Sequence, residues 1–266
     1  MASWEFNADG PIKAEIKLPA GHVKMTATAA QTVTVSLLPE RAGSRAAEKL
    51  IADAEVGFDG GTLTVEVGRR VHLRGDASLD LTVGLPEGSS VAVSTASADV
   101  SCTGEIGSLE GHTASGDVTA DRVGDVDLST ASGDVRLREV ARETVLQTAS
   151  GDAVIQRAGG DVRAKTASGD LIIGHAAHSV QAQVASGDVV IDSAATGTAD
   201  VSSVSGDVSV GVAPGIGVYL DLSSLSGRVR SELDADEQDG SGETGLTLRC
   251  KSVSGDIKIT RADPDR

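Results

Sequence analysis

We predict an all-β fold for this chain, a single-stranded parallel β-solenoid (β-helix) of about nine coils of ~18 residues, preceded by an amino-terminal β-rich cap that carries one short helix. The first observation is a repeat phrase, close to T-A-S-G-D-V, which occurs nine times between Thr95 and Ile257. The second is its spacing, with steps of 18, 17, 18, 18, 18, 19, 21 and 28 residues. The third is composition: 2% of the residues are aromatic and 32 are glycine, which favours short strands and tight turns around a thin aliphatic core.

The spacing favours a coil over a series of hairpins. A weaker Gly-Asp-Val phrase lies nine residues before two of the repeat phrases, at Gly124 and Gly160, so each unit holds two short strands and two corners. Gaps this short leave no room for helical crossovers, and hairpins would need a chain reversal every nine residues. We therefore expect successive phrases to stack in register as parallel neighbours in a right-handed coil, with a two-sided or a three-sided cross-section.

Residues 1–88 form the predicted cap and residues 89–266 the predicted solenoid. In the cap, alternating apolar residues predict strands, and Ser44 is placed to cap the open amides of a helix at about 45–54. In the solenoid, the long last step makes room for an acidic loop at 234–244, and a carboxy-terminal cap with Pro264 and a charged tail stops further stacking.

Each position of the repeat phrase has a predicted role. The residue two before the glycine is Ala in six copies, and we expect it to face the core. Aliphatic residues two and four positions after the glycine predict stacked apolar columns inside the coil. The glycine is expected to turn a corner with positive φ, where a Cβ would clash. The predicted turn glycines are Gly116, Gly133, Gly151, Gly169, Gly187, Gly206, Gly227 and Gly255.

Charge and hydropathy narrow the environment and the partners. The formal net charge of -16 disfavours nucleic acid as a partner, and the one dense basic patch, at Arg69, Arg70, His72 and Arg74, is interpreted as a solvated loop. The first residues lack the apolar stretch of a signal peptide and no apolar run could span a membrane, so we expect a cytoplasmic protein with no direct membrane insertion. Two distant cysteines predict buried, reduced thiols rather than a disulfide framework.

These repeats resemble the bacterial putative-adhesin family of β-strand repeats, also called toastrack domains. The resemblance rests on the t-a-S-G-D-v phrase at 113–118, 130–135 and 166–171, on Leu85-Pro86-Glu87-Gly88-Ser89 ahead of the first copy, and on Ala213-Pro214-Gly215. It covers about two thirds of the chain. It implies a β-solenoid with no assigned catalytic residues, and relatives that act in adhesion or as protein-interaction modules in envelope-stress systems.

An aspartate follows the glycine in seven copies and Ala98 in the first copy, and a stacked column of carboxylates is a natural cation site. The candidate calcium ligands are Asp117, Asp134, Asp152, Asp170 and Asp188. Calcium-binding nonapeptide repeats carry additional glycines, G-G-x-G-x-D, that this chain lacks. We therefore interpret each aspartate as accepting backbone N–H bonds at its own corner, and we predict neither a metal nor a cofactor.

A polysaccharide lyase or glycosidase is the enzymatic alternative. Sugar sites depend on aromatic platforms and paired carboxylates, whereas Tyr219 is the only aromatic residue of the repeat region. His175 and His178 would point to opposite faces of a strand and are interpreted as a loop pair rather than as metal ligands. No serine lies in a G-x-S-x-G motif with suitable His and acid partners, so we predict no catalytic residues.

One asymmetry points to a partner surface. Basic residues are dense early in the solenoid, whereas no Lys or Arg occurs from 166 to 227. This contrast is either simple surface filling, or a protein partner or a second copy docks on one of the two stretches, the later one without Lys or Arg or the basic one before it. The candidate surface residues are Gln183, Ser202, Arg136 and Arg163. The predicted function is a non-enzymatic protein-interaction or scaffold module. The alternatives are an adhesin-like surface or glycan-binding protein and, third, a carbohydrate-active enzyme on a β-helix.

Overall fold

The computed structural model describes residues 2–68, 78–233 and 244–263. Over these ranges the chain forms twenty-one β-strands and one α-helix, which confirms the predicted all-β class. The predicted basic patch at Arg69, residues 234–243 of the predicted acidic loop and the tail from Pro264 lie outside the described residues. The chain divides into two compact units, Met1–Asp134 and Val135–Arg266, and the domain boundary expected at residue 88 stays a prediction.

The first unit stacks its strands on β2. Its elements are β1 (Ala2–Asn7), β2 (Lys13–Thr28), β3 (Thr32–Pro39), α1 (Arg45–Ala52), β4 (Glu55–Asp59), β5 (Thr62–Glu66), β6 (Leu79–Pro86), β7 (Ser90–Thr113) and β8 (Val118–Thr130). β2 pairs in parallel with β5, β6 and β7, and β7 pairs in parallel with β8. Because His22 of β2 lies opposite Asp99 of β7, the first repeat phrase stacks directly on a strand of the predicted cap.

Helix α1 begins where the sequence predicts it. Ser44 has an extended backbone, and its Oγ accepts a hydrogen bond from the backbone N–H of Ala47 at 3.3 Å. The helix ends at Ala52 rather than at residue 54, and its buried residues Ala47 and Leu50 lie on the side that packs against β3. In the described ranges, no helix is long and apolar enough to cross a lipid bilayer.

The second unit is built from two columns of parallel strands. Its strands are β9 (Val135–Val140), β10 (Thr144–Ser150), β11 (Ala153–Ala158), β12 (Val162–Ser168), β13 (Leu171–Ala176), β14 (Val180–Ser186), β15 (Val189–Ala194), β16 (Gly197–Ser205), β17 (Val208–Val212), β18 (Gly217–Ser224), β19 (Val229–Ser231), β20 (Thr244–Ser254) and β21 (Ile257–Arg261). Every second strand is a parallel neighbour, as in Val162 opposite Val180 and Leu171 opposite Val189. Each coil therefore contributes two strands, and the predicted parallel solenoid is confirmed.

The last coils do not stack in chain order. β20 lies between β16 and β18, and β21 lies between β17 and β19. The coil that comes last in the chain is thus the next-to-last in space, and β18 with β19 forms the terminal rung among the described residues. This order departs from the expectation that successive phrases stack one upon the next.

The expectation that the residue two before the glycine faces the core was wrong. All six alanines at this position are exposed, and the equivalent Val204, Val253 and Leu225 are exposed as well. The residue one position earlier points inward, and at Thr130 its Oγ1 accepts a hydrogen bond from the N–H of Gly133 at 2.9 Å. An inward hydroxyl therefore satisfies a backbone donor of the corner, which an alanine could not do.

The repeat glycines are required chiefly because neighbouring rungs approach closely. A Cβ on Gly116 or Gly255 would overlap the carbonyl oxygen of the adjacent rung, although neither residue has a positive φ. A positive φ occurs at Gly169, Gly187 and Gly206, with values of 136°, 140° and 140°. A Cβ on Gly133 or Gly227 would overlap a carbonyl oxygen in the same way, so the predicted clash holds at seven of the eight predicted turn glycines. The predicted positive φ holds at Gly169, Gly187 and Gly206 and was wrong at Gly116, Gly133, Gly227 and Gly255.

Candidate functional site

The second unit carries an unusual row of apolar side chains on its outer surface. Val154 of β11, Ile172 of β13 and Val190 of β15 are neighbours in register and are all half-buried. On each strand they alternate with core residues, so they point out of the solenoid. We call these three residues the outer apolar stripe. Apolar side chains on the outer face of a sheet gain free energy when another molecule covers them.

The outer apolar stripe lies in a cleft of about 900 Å³. Gly174 and Gly211 also line this cleft, next to the stripe. A Cβ on either glycine would run into a backbone carbonyl of the neighbouring strand, that of Gln156 or Asp192. Both positions therefore need glycine so that the strands can stack. Because glycine has no side chain, the cleft is deeper at these two positions.

One wall of the cleft is a loop held by an arginine. Pro214 lines the cleft, and it lies between Ala213 and Ile216, whose carbonyl oxygens accept hydrogen bonds from Nη1 of Arg261 at 3.1 and 3.3 Å. Arg261 is the last residue of β21, the strand that lies out of chain order between β17 and β19. The wall therefore exists only because the last strand of the chain returns beside β17.

The rim of the cleft is richer in cations than the chain as a whole. Four cationic residues and three carboxylates line it, whereas the whole chain has 23 Lys and Arg against 39 Asp and Glu. The cations are Arg138, Arg157, Lys258 and Arg261, and the carboxylates are Glu139, Asp192 and Asp263. In an acidic protein, this local balance favours an occupant with negative charge.

The aspartates after the glycines form a hydrogen-bonded ladder. In the first unit, Oδ1 of Asp99 accepts from the N–H of Asp117 at 3.0 Å, and Oδ1 of Asp117 accepts from the N–H of Asp134 at 2.9 Å. In the second unit the same bond runs from rung to rung at 2.8 to 2.9 Å; its carboxylates belong, in order, to Asp152, Asp170, Asp188, Asp207 and Asp256. Each carboxylate thus serves the next rung rather than its own corner, and that part of the interpretation was wrong.

The ladder already uses one oxygen of each of these carboxylates. Among the described residues, no cluster of three or more His, Cys, Asp or Glu side chains has the geometry of a metal site. The absence of a metal at this column stays a prediction, and calcium binding by Asp117, Asp134, Asp152, Asp170 or Asp188 stays its untested alternative.

The histidine pair of the later repeats, His175 and His178, lies on the surface. His175 is exposed on β13, opposite Ser193 of β15, and it lines the cleft. His178 follows β13 in the turn before β14 and is also exposed. His175 therefore belongs to the candidate site, and the pair is split between a strand and a turn.

The two cysteines are buried and unpaired, as predicted. Burial raises the pKa of the Cys102 thiol to about 12, and the charge of Asp121 adds to the effect. Burial also raises the pKa of the Cys250 thiol to about 12, together with the charge of Asp200. Both sulfurs are therefore neutral core groups at physiological pH.

The structure brings together only part of the predicted partner surface. Gln183 of β14 and Ser202 of β16 are direct neighbours, and Arg163 lies on the adjacent strand β12, where it pairs with Glu143. Arg136 belongs to the other column of strands, opposite Val154 at the end of the outer apolar stripe. The predicted surface is thus divided between two faces.

Sequence reasoning missed the outer apolar stripe, although a signal was present. In most coils the residue between the two core positions is polar, as in Val135-Arg136-Leu137 and Ile257-Lys258-Ile259. In three consecutive coils it is Val or Ile, within Ala153-Val154-Ile155, Leu171-Ile172-Ile173 and Val189-Val190-Ile191. An apolar residue at the outward position of three stacked strands predicts an exposed apolar row.

Comparison with known proteins agrees with the stacked parallel strands and the repeat phrases. The family model described as Toastrack DUF4097 matches residues 15–260. The chain belongs to this Toastrack family. No curated protein matches the chain.

Solved structures resemble this chain at low identity. A putative lipid binding protein from Parabacteroides distasonis is 12% identical, with a TM-score of 0.50 over 98% of this chain and 96% of that one. A putative adhesin from Bacteroides fragilis is 14% identical, with a TM-score of 0.48 over 97% of this chain and 96% of that one.

Proposed function

We propose that this Toastrack chain is a non-enzymatic interaction module whose second unit holds an extended segment of a partner protein in the cleft. The observation that carries the proposal is the outer apolar stripe, a row of three β-branched side chains in register on the outer face of a sheet. A cytoplasmic location is part of the proposal and is tested by fractionation of native cells.

The dimensions of the cleft favour an extended segment. Its floor crosses β11, β13, β15 and β17, and parallel strands lie about 4.8 Å apart, so the floor is roughly 15 Å long. An extended chain rises about 3.3 Å per residue, and such a floor therefore accommodates about five residues. Apolar side chains of the partner would cover the stripe, and acidic ones would meet Arg138 and Arg157 on the rim, since Lys258 already pairs with Glu232 at 3.1 Å.

A glycan is the second candidate ligand, but the residues of the cleft floor favour a protein segment. Sugar-binding sites stack the ligand on aromatic rings, whereas the floor of this cleft is built from Val154, Ile172, Val190 and two glycines. Aliphatic floors of this kind suit apolar peptide side chains.

A photo-crosslinking amino acid at Val154 tests the proposal in the full chain within native cells. The matched control is Val145 of β10, which is also a half-buried valine but lies on the other column of strands. We expect protein adducts at position 154 and not at 145, with the crosslinked partner segment identified by mass spectrometry.

Calorimetry with the identified segment, made as a synthetic peptide, then measures affinity. Val154→Asp is expected to weaken binding at least ~tenfold, because a buried anion faces both apolar groups and acidic partner residues. Val145→Asp should bind as the unmodified chain does. Equal adducts at both positions, or equal affinity of both variants, would refute the proposal.

A further inference from the structure

The terminal rung of the second unit presents an unpaired sheet edge. Among the described residues, β18 pairs only with β20, and β19 pairs only with β21. The opposite edges of β18 and β19 therefore carry backbone groups without a strand partner in the described chain. Exposed edges of this kind readily pair with another strand.

The apolar side chains of this rung are far more exposed than those of the next rung. Leu220 and Leu222 are half-buried, whereas their register partners Leu248 and Cys250 are completely buried. Val229 of β19 is 43% exposed, and its register partner Ile257 is fully buried. The aliphatic core of the solenoid thus opens to the outside at this end.

Two large apolar residues extend the open end on the outer face. Tyr219 is 58% exposed and Leu225 is 83% exposed. Tyr219 lies near the start of β18 and Leu225 directly follows its last residue, and one acidic residue, Asp221, lies between them on the same face. A strand with an apolar residue at each end and one charge off its centre is suited to antiparallel pairing with itself.

The hydrogen bonds to β20 determine which residues face the edge. The N–H of Leu225 donates to the carbonyl of Ser252 on β20 at 3.1 Å. In a parallel ladder, alternate residues direct both backbone groups to the same side. The backbone groups of Leu220, Leu222 and Ser224 therefore point to the open edge and are the ones available to a new strand.

We propose that a second copy of this chain pairs with the edge of β18, in antiparallel orientation about a two-fold axis at Leu222. Leu222 then lies opposite its copy, and Leu220 lies opposite Ser224 of the other protomer. On the outer face, Tyr219 of each protomer lies opposite Leu225 of the other, and Asp221 of each lies opposite Ser223 of the other. The joined ends cover the open core of both protomers, as capping repeats do in other solenoids.

The alternative registers are unfavourable on charge and packing. In any register, residues whose backbone groups face the edge must lie opposite residues of the same kind in the other protomer. The nearest alternative registers therefore move the two-fold axis from Leu222 to Asp221 or to Ser223. One shift places Asp221 opposite its own copy, and like charges directly opposite are destabilising. The other shift places Tyr219 opposite Gly227 and Asp221 opposite Leu225. Only the register centred on Leu222 pairs the two apolar residues and separates the two charges.

Sedimentation of the full chain over a concentration series tests the association. We expect a concentration-dependent species of twice the monomer mass of 26.8 kDa. Leu225→Asp should raise the dissociation constant at least ~tenfold. Its matched control is Val204→Asp, which changes an equivalent exposed residue of β16, two rungs from the edge, and should leave the association unchanged. Monomers at every concentration, or equal effects of both variants, would overturn the proposal.

Engineered cysteines test the register itself. Opposed residues without hydrogen bonds have Cα atoms about 4.5 Å apart, which a disulfide can span. The double variant Tyr219→Cys with Leu225→Cys should form a disulfide-linked dimer under mild oxidation. Within one chain these positions are roughly 20 Å apart, so the bond must join two protomers. Asp221→Cys alone should not crosslink; a dimer from that single variant would contradict the register.

Discussion

Arg228 closes the aspartate ladder by binding Asp256 with both its backbone and its side chain. The N–H of Arg228 donates to Oδ1 of Asp256 at 2.8 Å, and Nε and Nη2 of its guanidinium lie 3.1 and 3.0 Å from Oδ2. Arg228 occupies the one repeat phrase that lacks the aspartate, and this phrase belongs to the terminal rung in space. The cation therefore stands where the column of carboxylates ends.

The pKa of Asp256 should depend on Arg228. The backbone N–H of Arg228 is the main cause that holds this pKa below its usual value of 3.8; the hydrogen bond and charge of the Arg228 side chain add to it, and desolvation opposes it. Arg228→Gln retains the N–H, so we expect the pKa to rise only part of the way in an NMR titration of the carboxyl group. Arg249→Gln, a change of another exposed arginine, is the control and should shift it less.

The same shift has a consequence for stability against pH. A lowered folded-state pKa stabilises the fold above the unfolded pKa, and this contribution is lost as the pH falls through the folded value. Urea midpoints should therefore fall less on acidification below about pH 4 in Arg228→Gln than in the unmodified chain. Identical acid profiles of the two proteins would contradict this assignment.

The ladder bond at Asp188 should be measurable by comparing two substitutions. Oδ1 of Asp188 accepts from the N–H of Asp207 at 2.8 Å. Asp188→Ala removes the acceptor and should lower the free energy of unfolding by about 1 kcal/mol. Asp188→Asn keeps an oxygen acceptor and should cost clearly less. Urea unfolding distinguishes the two, and equal losses would show that charge rather than the hydrogen bond matters here.

Gly206 should tolerate alanine poorly, for two separable reasons. Its φ is 140°, and a Cβ would overlap the carbonyl oxygen of Gly187. We expect Gly206→Ala to lower the free energy of unfolding by about 3 kcal/mol, from backbone strain and overpacking together. Gly215 has a φ of 75° but nothing within 4 Å, so Gly215→Ala should show the strain alone, about 1 kcal/mol. Equal losses would exclude a role for the close approach of the rungs.

Cys102 and Cys250 should resist alkylation in the folded protein. Burial holds both thiols neutral, with a pKa of about 12 each. We expect mass spectrometry to find neither labelled by iodoacetamide at neutral pH, and both labelled in denaturant. Because the folded pKa is raised, stability should decline as the pH rises above the unfolded value of 9.0. Rapid native labelling of either residue would contradict its burial.

The sequence predicted the features that depend on local spacing. The regular steps between phrases required stacked strands, and the columns at Val135, Leu171 and Val189 are buried as expected. Ser44 predicted the helix start because capping is a contact within one turn. The inward position of Thr130 was missed, because strand alternation alone does not say where a chain leaves the sheet to turn a corner.

The sequence by itself determined the class of fold, the length of the coil and the aliphatic columns that follow each repeat glycine, since these follow from periodicity and side-chain size. The tertiary structure alone decided the order of the last coils. Neighbouring phrases are nearly interchangeable in shape, so only their packing could place β20 between β16 and β18. That insertion puts Arg261 beside the loop at Pro214, makes β18 the open edge, and thereby creates both the wall of the cleft and the proposed contact with a second copy.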